Sequence, residues 1–103
     1  MAKSMWTITF NYNKAVNQAS KLDEISRKIK RERNNLNDCK RLLSSVWRSD
    51  NSDAYMRKVM KVEDELAQIE RELNNASRVV NTNARNTYNT EKRALEIASK
   101  KKN

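Results

Sequence analysis

The sequence predicts an all-α fold, an antiparallel two-helix hairpin, and three observations carry that expectation. Gly and Pro are both absent from the 103 residues. Strands and tight turns usually need one or the other, so uninterrupted helix is the simplest course for the chain. Apolar residues recur at helical spacing in two runs. The first is Ala15, Leu22, Ile25, Ile29, Leu36, Cys39, Leu43 and Val46; the second is Tyr55, Val59, Val62, Leu66, Ile69, Leu73, Ala76 and Val80. Reflected through Ser49, the runs come level: Leu43 with Tyr55, Cys39 with Val59, Leu36 with Val62, Ile29 with Ile69, Ile25 with Leu73, Leu22 with Ala76. The expected fold point is therefore Trp47-Arg48-Ser49.

Residues 1–12 read as a separate N-terminal arm. Trp6, Ile8, Phe10 and Tyr12 alternate with Thr7, Thr9 and Asn11, a period-two pattern of strand formers. Two readings stand side by side: an extended arm on the bundle or a partner, or a partly ordered terminus whose aromatics cover the open end. The hairpin then occupies residues 13–99. Its first helix starts near Asn13, a good N-cap type, and runs to about Val46. A turn fills 47–52. The second helix spans about 53–99, with Asp53 near the positive end of its dipole. At 1.5 Å per residue the helices measure roughly 50 and 70 Å, so the second overhangs, beginning at about Arg85. Beyond Val80 its seam continues either through Asn83, Thr87 and Thr90 or, after a four-residue stutter, through Ala84, Tyr88 and Leu95. Residues 100–103 form a solvated basic tail.

The expected seam is Leu22, Ile25, Ile29, Leu36 and Leu43 against Val59, Val62, Leu66, Ile69 and Leu73. Charges flank it in a consistent sense. Lys21, Lys28, Arg33 and Lys40 border the first helix, and Glu63, Glu65, Glu70 and Glu72 border the second. The register brings Lys28 near Glu72 and sets Arg33 between Glu63 and Glu70. Such surface pairs contribute only about 0.2–1 kcal/mol each, so their use is to specify which faces meet. Glu32, the one charge on this seam, either reaches solvent or marks the register.

Composition removes several functions. There is no histidine, hence neither the usual general base nor the commonest metal ligand. The single thiol, Cys39, reads as a small core residue and cannot form an internal disulfide or a thiolate zinc site. No Gly-rich phosphate loop exists. The chain is therefore expected to be no enzyme and to carry no cofactor or metal. No segment is long and apolar enough to span a bilayer, and the Met5–Phe10 stretch is too short for a leader peptide. The net charge of +9 invites a nucleic-acid reading. The run Arg27-Lys28-Ile29-Lys30-Arg31-Glu32-Arg33 is the candidate phosphate contact, although Lys28 and Arg33 face glutamates and Ile29 belongs to the core.

A two-helix hairpin buries one stripe per helix, a thin basis for stability. Apolar residues remain off the seam near the turn, where Leu42, Trp47, Met56 and Met60 form the candidate partner-binding surface. A four-helix bundle of two hairpins is the expected product.

Trp47-Arg48-Ser49, midway along a chain of this length between two amphipathic helices, resembles the Trp-any-Gly turn of the WXG (early-secreted-antigen-like) proteins of bacterial type VII secretion. The likeness continues in Asn51-Ser52-Asp53-Ala54-Tyr55 and covers residues 8–99. The family's Gly is Ser49 here. The family's export signal, an aromatic followed four residues later by an acid, is met imperfectly by Tyr88 and Glu91, three apart but on one helical face. The small helical companions of LXG-type toxins resemble the chain more closely. The resemblance implies a secretion partner that binds a second copy, a sister hairpin or the N-terminal helical domain of such a toxin. It further implies synthesis in the cytoplasm and export without a cleaved leader.

Overall fold

In the computed structural model, residues 4–47 and 50–101 are described. They form two helices and no strand: α1, Met5–Val46, and α2, Asp50–Lys101. The helices pair antiparallel, as an all-α hairpin. Arg48 and Ser49 of the expected turn lie outside the described residues, as do the last two residues of the basic tail.

The N-terminal arm is helical, a correction to the period-two reading. Ser4 caps α1: its Oγ accepts the Thr7 N–H at 3.2 Å, and its carbonyl accepts the Ile8 N–H at 3.0 Å. Asn13 lies inside the helix. The physical reason is that Trp6, Ile8, Phe10 and Tyr12 satisfy two periods at once. Trp6 and Phe10 are four apart, as are Ile8 and Tyr12, so a helix sends the first pair outward and the second inward. Ile8 is 2% exposed. Burial of one pair outweighs the weak strand preference of the threonines.

The chain divides into two compact units, each holding part of both helices. The open-end unit comprises Met1–Leu22 and Asn75–Asn103; the turn-end unit is Asp23–Asn74. Within the open-end unit the Ser77 hydroxyl donates to the Ala19 carbonyl at 3.2 Å, and Tyr12 packs on Tyr88 at 5.1 Å between ring centres. Within the turn-end unit Ser26 reaches the Glu70 carbonyl at 3.5 Å, Lys40 pairs with Glu63, and Trp47 meets Tyr55 at 5.9 Å. Numbers rise on α1 as they fall on α2, which is the antiparallel sense.

The seam differs from expectation in every second position. Leu22, Ile29, Leu36 and Leu43 do point inward and are half-buried, as are Leu66 and Leu73; Val59 is buried. From each leucine or isoleucine of α1, however, the seam steps four residues on, to Ser26, Arg33 and Lys40, rather than three to Ile25 and Cys39. On α2 it steps from Val59 to Glu63 and from Leu66 to Glu70, so Val62 and Ile69 fall outside. Ile25 is 46% exposed and Ile69 41%; Val62, Tyr55, Val46 and Cys39 are exposed too. Small side chains decide this. Ala19, Ser26, Ser52, Ser77 and Ala84 are buried, and two serine hydroxyls reach the opposite main chain, which requires close helix approach. Branched aliphatics in those layers would hold the helices apart.

Four of the flanking charges, Arg33, Lys40, Glu63 and Glu70, lie inside the seam, whereas Lys21, Lys28, Glu65 and Glu72 are exposed. Arg33 Nε lies 2.7 Å from Glu70 Oε2, both atoms out of water, in ion-pair contact without hydrogen-bond geometry. Lys40 Nζ donates to Glu63 Oε1 at 2.8 Å. Glu32 is exposed, so it reaches solvent. The overhang is shorter than expected, because α1 begins at Met5 and Tyr12 accompanies Tyr88. α2 exceeds α1 by ten residues, 52 against 42. Past Val80 the seam follows the stutter: Ala84 is buried and Tyr88 and Leu95 half-buried, whereas Asn83, Thr87 and Thr90 are exposed.

Candidate protein-docking surface

The aliphatics displaced from the seam are not scattered. Each stands one residue before a seam position: Ile25 before Ser26, Cys39 before Lys40, Val46 before Trp47, Tyr55 before Met56, Val62 before Glu63, Ile69 before Glu70. Two antiparallel helices are related by an approximate two-fold normal to their common plane. Equivalent positions on the two helices therefore share one flank. The open-end unit shows this relation directly. Asn11 and Asn83, each one residue before a seam position, line a single cavity of about 300 Å³ with Ile8, Tyr12, Ala15, Val80 and Ala84.

In the turn-end unit this flank is apolar on both helices except at Glu32, which stands one residue before Arg33 and is exposed. It carries Ile25, Cys39 and Val46 from α1 and Tyr55, Val62 and Ile69 from α2, all exposed. Leu42, three residues beyond Cys39 and four before Val46, extends it and is 69% exposed; Val46 is 81% exposed. The opposite flank, one residue beyond the polar seam positions, bears Arg27, Asn34 and Arg41 on α1 and Arg57, Asp64 and Arg71 on α2. One side of the unit is thus mostly apolar and the other mostly polar.

The four residues expected to form a partner surface do not share one face. Leu42 lies on the apolar flank. Met56 is half-buried on the seam, and Trp47 at the end of α1 keeps 39% of its surface exposed while packing on Tyr55. Met60 is exposed but belongs to the opposite flank, one residue beyond Val59. Of the turn motif, only Trp47 is described. Tyr88 is half-buried against Tyr12, and Glu91 is half-buried and lines the same cavity as Tyr12 and Tyr88.

Sequence reasoning missed the aliphatic flank because it spent those residues on the core. The available signal was a surplus. With Ala19, Ser26 and Ser77 admitted to the seam, six apolar side chains at seven- and fourteen-residue intervals are left over. Among the described residues no group of three His, Cys, Asp or Glu side chains is placed to hold a metal, and no helix is long and apolar enough to cross a membrane.

No protein-family model matches the chain, and no curated protein or solved structure matches it either.

Proposed function

We propose that this chain is a helical partner protein of type VII secretion. It packs the aliphatic flank of its turn-end unit against helices of a second protein, a sister hairpin of the WXG kind or the N-terminal helical domain of an LXG-type toxin. The composite bundle is then what the secretion machinery receives. The observation that carries this reading is the row Ile25, Cys39, Val46, Tyr55, Val62 and Ile69. These side chains are exposed on one flank of a hairpin whose other flank is mostly polar. A row of exposed apolar side chains of this kind on a thin hairpin marks a protein contact. Its heptad spacing fits another helix lying alongside.

The secretion assignment rests on the resemblance of the turn tripeptide and on the hairpin. Trp47 at the helix end, packed on Tyr55, closes the flank at the turn. A phosphate-binding role for Arg27–Arg33 has less support. Arg33 is committed to Glu70, and the turn-end unit holds twelve Lys and Arg against eleven Asp and Glu.

The test is co-expression of the full chain with the N-terminal helical domain of an LXG-type toxin encoded beside it. The wild type is expected to co-purify with the domain. The Val62→Lys, Ile69→Lys double variant is expected to keep its helicity and lose the partner. Trp47→Ala is expected to weaken the complex about ten-fold or more, the scale of a buried aromatic anchor. Undiminished binding by the double variant would remove the flank from the interface.

A further inference from the structure

The net charge of the chain is not shared between its units. Met1–Leu22 with Asn75–Asn103 holds ten Lys and Arg against two Asp and Glu, so eight of the nine net positive charges belong to the open-end unit. The same unit carries an unusual aromatic feature. Trp6 and Phe10 stack on each other at 5.2 Å and 11° on the outer side of α1, and Trp6 is 72% exposed. Met5 beside them is exposed as well. Nothing in the seam uses these side chains, because Ile8 and Tyr12 supply the inward contacts.

The aromatic pair and the cations lie on one flank. Thr9, Tyr12 and Asn13 of α1 line a groove with Arg85, Tyr88 and Asn89 of α2. Trp6 precedes Thr9 by three residues and Asn13 by seven, so it continues their face toward the start of α1. Lys92 follows Arg85 by seven and Asn89 by three, so it continues the opposing face in the same direction. Trp6 therefore shares a flank with Arg85 and Lys92, and Phe10 stacks on it from the outer side of α1; exposed Arg93 follows Lys92 in sequence.

We propose that this flank of the open-end unit binds the surface of an anionic lipid bilayer. Trp6, Phe10 and Met5 enter the headgroup boundary, where an indole places its apolar body in the acyl region and its N–H among polar groups. Arg85, Lys92 and Arg93 meet the lipid phosphates, and the polar Thr9, Asn13 and Asn89 lie at headgroup level. Apolar insertion and attraction to anionic lipid together hold an amphipathic surface at a membrane without crossing it. The stack favours lipid over nucleic acid. Its two rings face each other, so no slot remains between them for a base.

The test uses the full chain carrying Trp47→Phe, so that Trp6 is the sole tryptophan of the two. Vesicles of phosphatidylcholine alone and with about a third phosphatidylglycerol are sedimented with the protein in low salt, and tryptophan emission is recorded. The expected result is capture by the anionic vesicles alone, with a blue shift of Trp6 emission. Arg85→Gln and Lys92→Gln are each expected to weaken capture about five-fold, the usual effect of one cation near a charged membrane. Trp6→Ala with Phe10→Ala removes the blue shift and most of the capture, while circular dichroism stays helical because Trp6 supports no core contact. Arg57→Gln with Arg71→Gln, in the near-neutral unit, changes capture less than two-fold. The proposal fails if anionic vesicles do not retain the chain. It fails equally if the Trp6/Phe10 variant binds them like the parent. Tighter binding to duplex DNA than to the vesicles, with the same dependence on Trp6, assigns the surface to nucleic acid instead.

Discussion

The two ends of this hairpin solve one packing problem by different means. In the turn-end unit, aliphatic layers alternate with charged ones, Arg33 with Glu70 and Lys40 with Glu63, and the unit is almost neutral. In the open-end unit the alternating layers are small or aromatic: Ala19 with Ser77, Tyr12 with Tyr88, Ile8 near Ala84. Its charge is nearly all of one sign and lies outside. Paired charges in a seam contribute little net stability but penalise any slipped register, since a slip leaves each ion without its partner. Close packing at the open end contributes cohesion and leaves the lysines and arginines on the surface, in excess over the acids of the unit. One unit specifies alignment, and the other presents charge.

The sharpest way to break this comparison is at Ile8, the deepest large side chain described. Ile8→Ala removes buried aliphatic volume and is expected to cost about 2–4 kcal/mol. The loss belongs to the open-end unit, so hydrogen exchange should rise in the amides of residues 5–20 well before those around Leu36 and Val59. Uniform loss of protection along the chain would show that the units do not differ in this way. Next in size comes Glu70→Ala, which strands the Arg33 guanidinium in the seam. Arg33 keeps a third of its side chain in water, so the expected cost is about 1–3 kcal/mol, below that of a fully buried pair. Urea denaturation measures it. The double variant Glu70→Leu, Arg33→Leu should recover most of the loss, while relaxing the alignment that the ion pair specifies.

The misread positions show what one strand of sequence can and cannot say about such a seam. The seven-residue repeats of Leu22, Ile29, Leu36 and Leu43 were legible because each is apolar and nothing competes for its place. The intervening layer was a tie between Ile25 and Ser26, between Val62 and Glu63, and between Ile69 and Glu70. Hydrophobicity alone awards every tie to the aliphatic. The structure awards it to the residue whose partner fits, and fit is a property of two helices together. Arg33 illustrates this: its pairing with Glu70 was foreseeable from the register, yet its depth was not. Trp6–Tyr12 failed for another reason, since four apolar residues alternating over a seven-residue stretch obey both periods. Only the Ser4 cap and the cavity awaiting Ile8 and Tyr12 decide between them. The charge segregation was countable from the start, but the boundary between the units was needed to see it.

Smaller effects sharpen the picture at the helix start. Ser4→Ala deletes the side-chain acceptor of the Thr7 N–H and is expected to cost about 1 kcal/mol. The measurable consequence is fraying of the first turn, seen as faster exchange at Thr7 and Ile8 with the rest of α1 unchanged. Ser4→Asp should hold the cap and add a favourable charge at the positive end of the helix dipole. If Ser4→Ala leaves exchange at Thr7 unaltered, the first turn is held by Ile8 rather than by its cap.

The smallest expected effect on stability is also the most telling for function. Ile69 sits beside the seam, 41% exposed, next to the buried Glu70. Were it a core residue, Ile69→Lys would cost several kcal/mol, because a charge would replace an aliphatic in a closed layer. On an open flank the lysine stem covers the same surface while its ammonium stays in water, and the expected change is within about 0.5 kcal/mol. Thermal melts of the isolated chain separate the two cases directly. A near-neutral melt combined with loss of the helical partner means that Ile69 is kept aliphatic by the interface, since the hairpin itself does not require it. A large fall in stability would return Ile69 to the seam, together with Ile25 and Val62, and leave the turn-end unit only Leu42 and Val46 near the turn to offer.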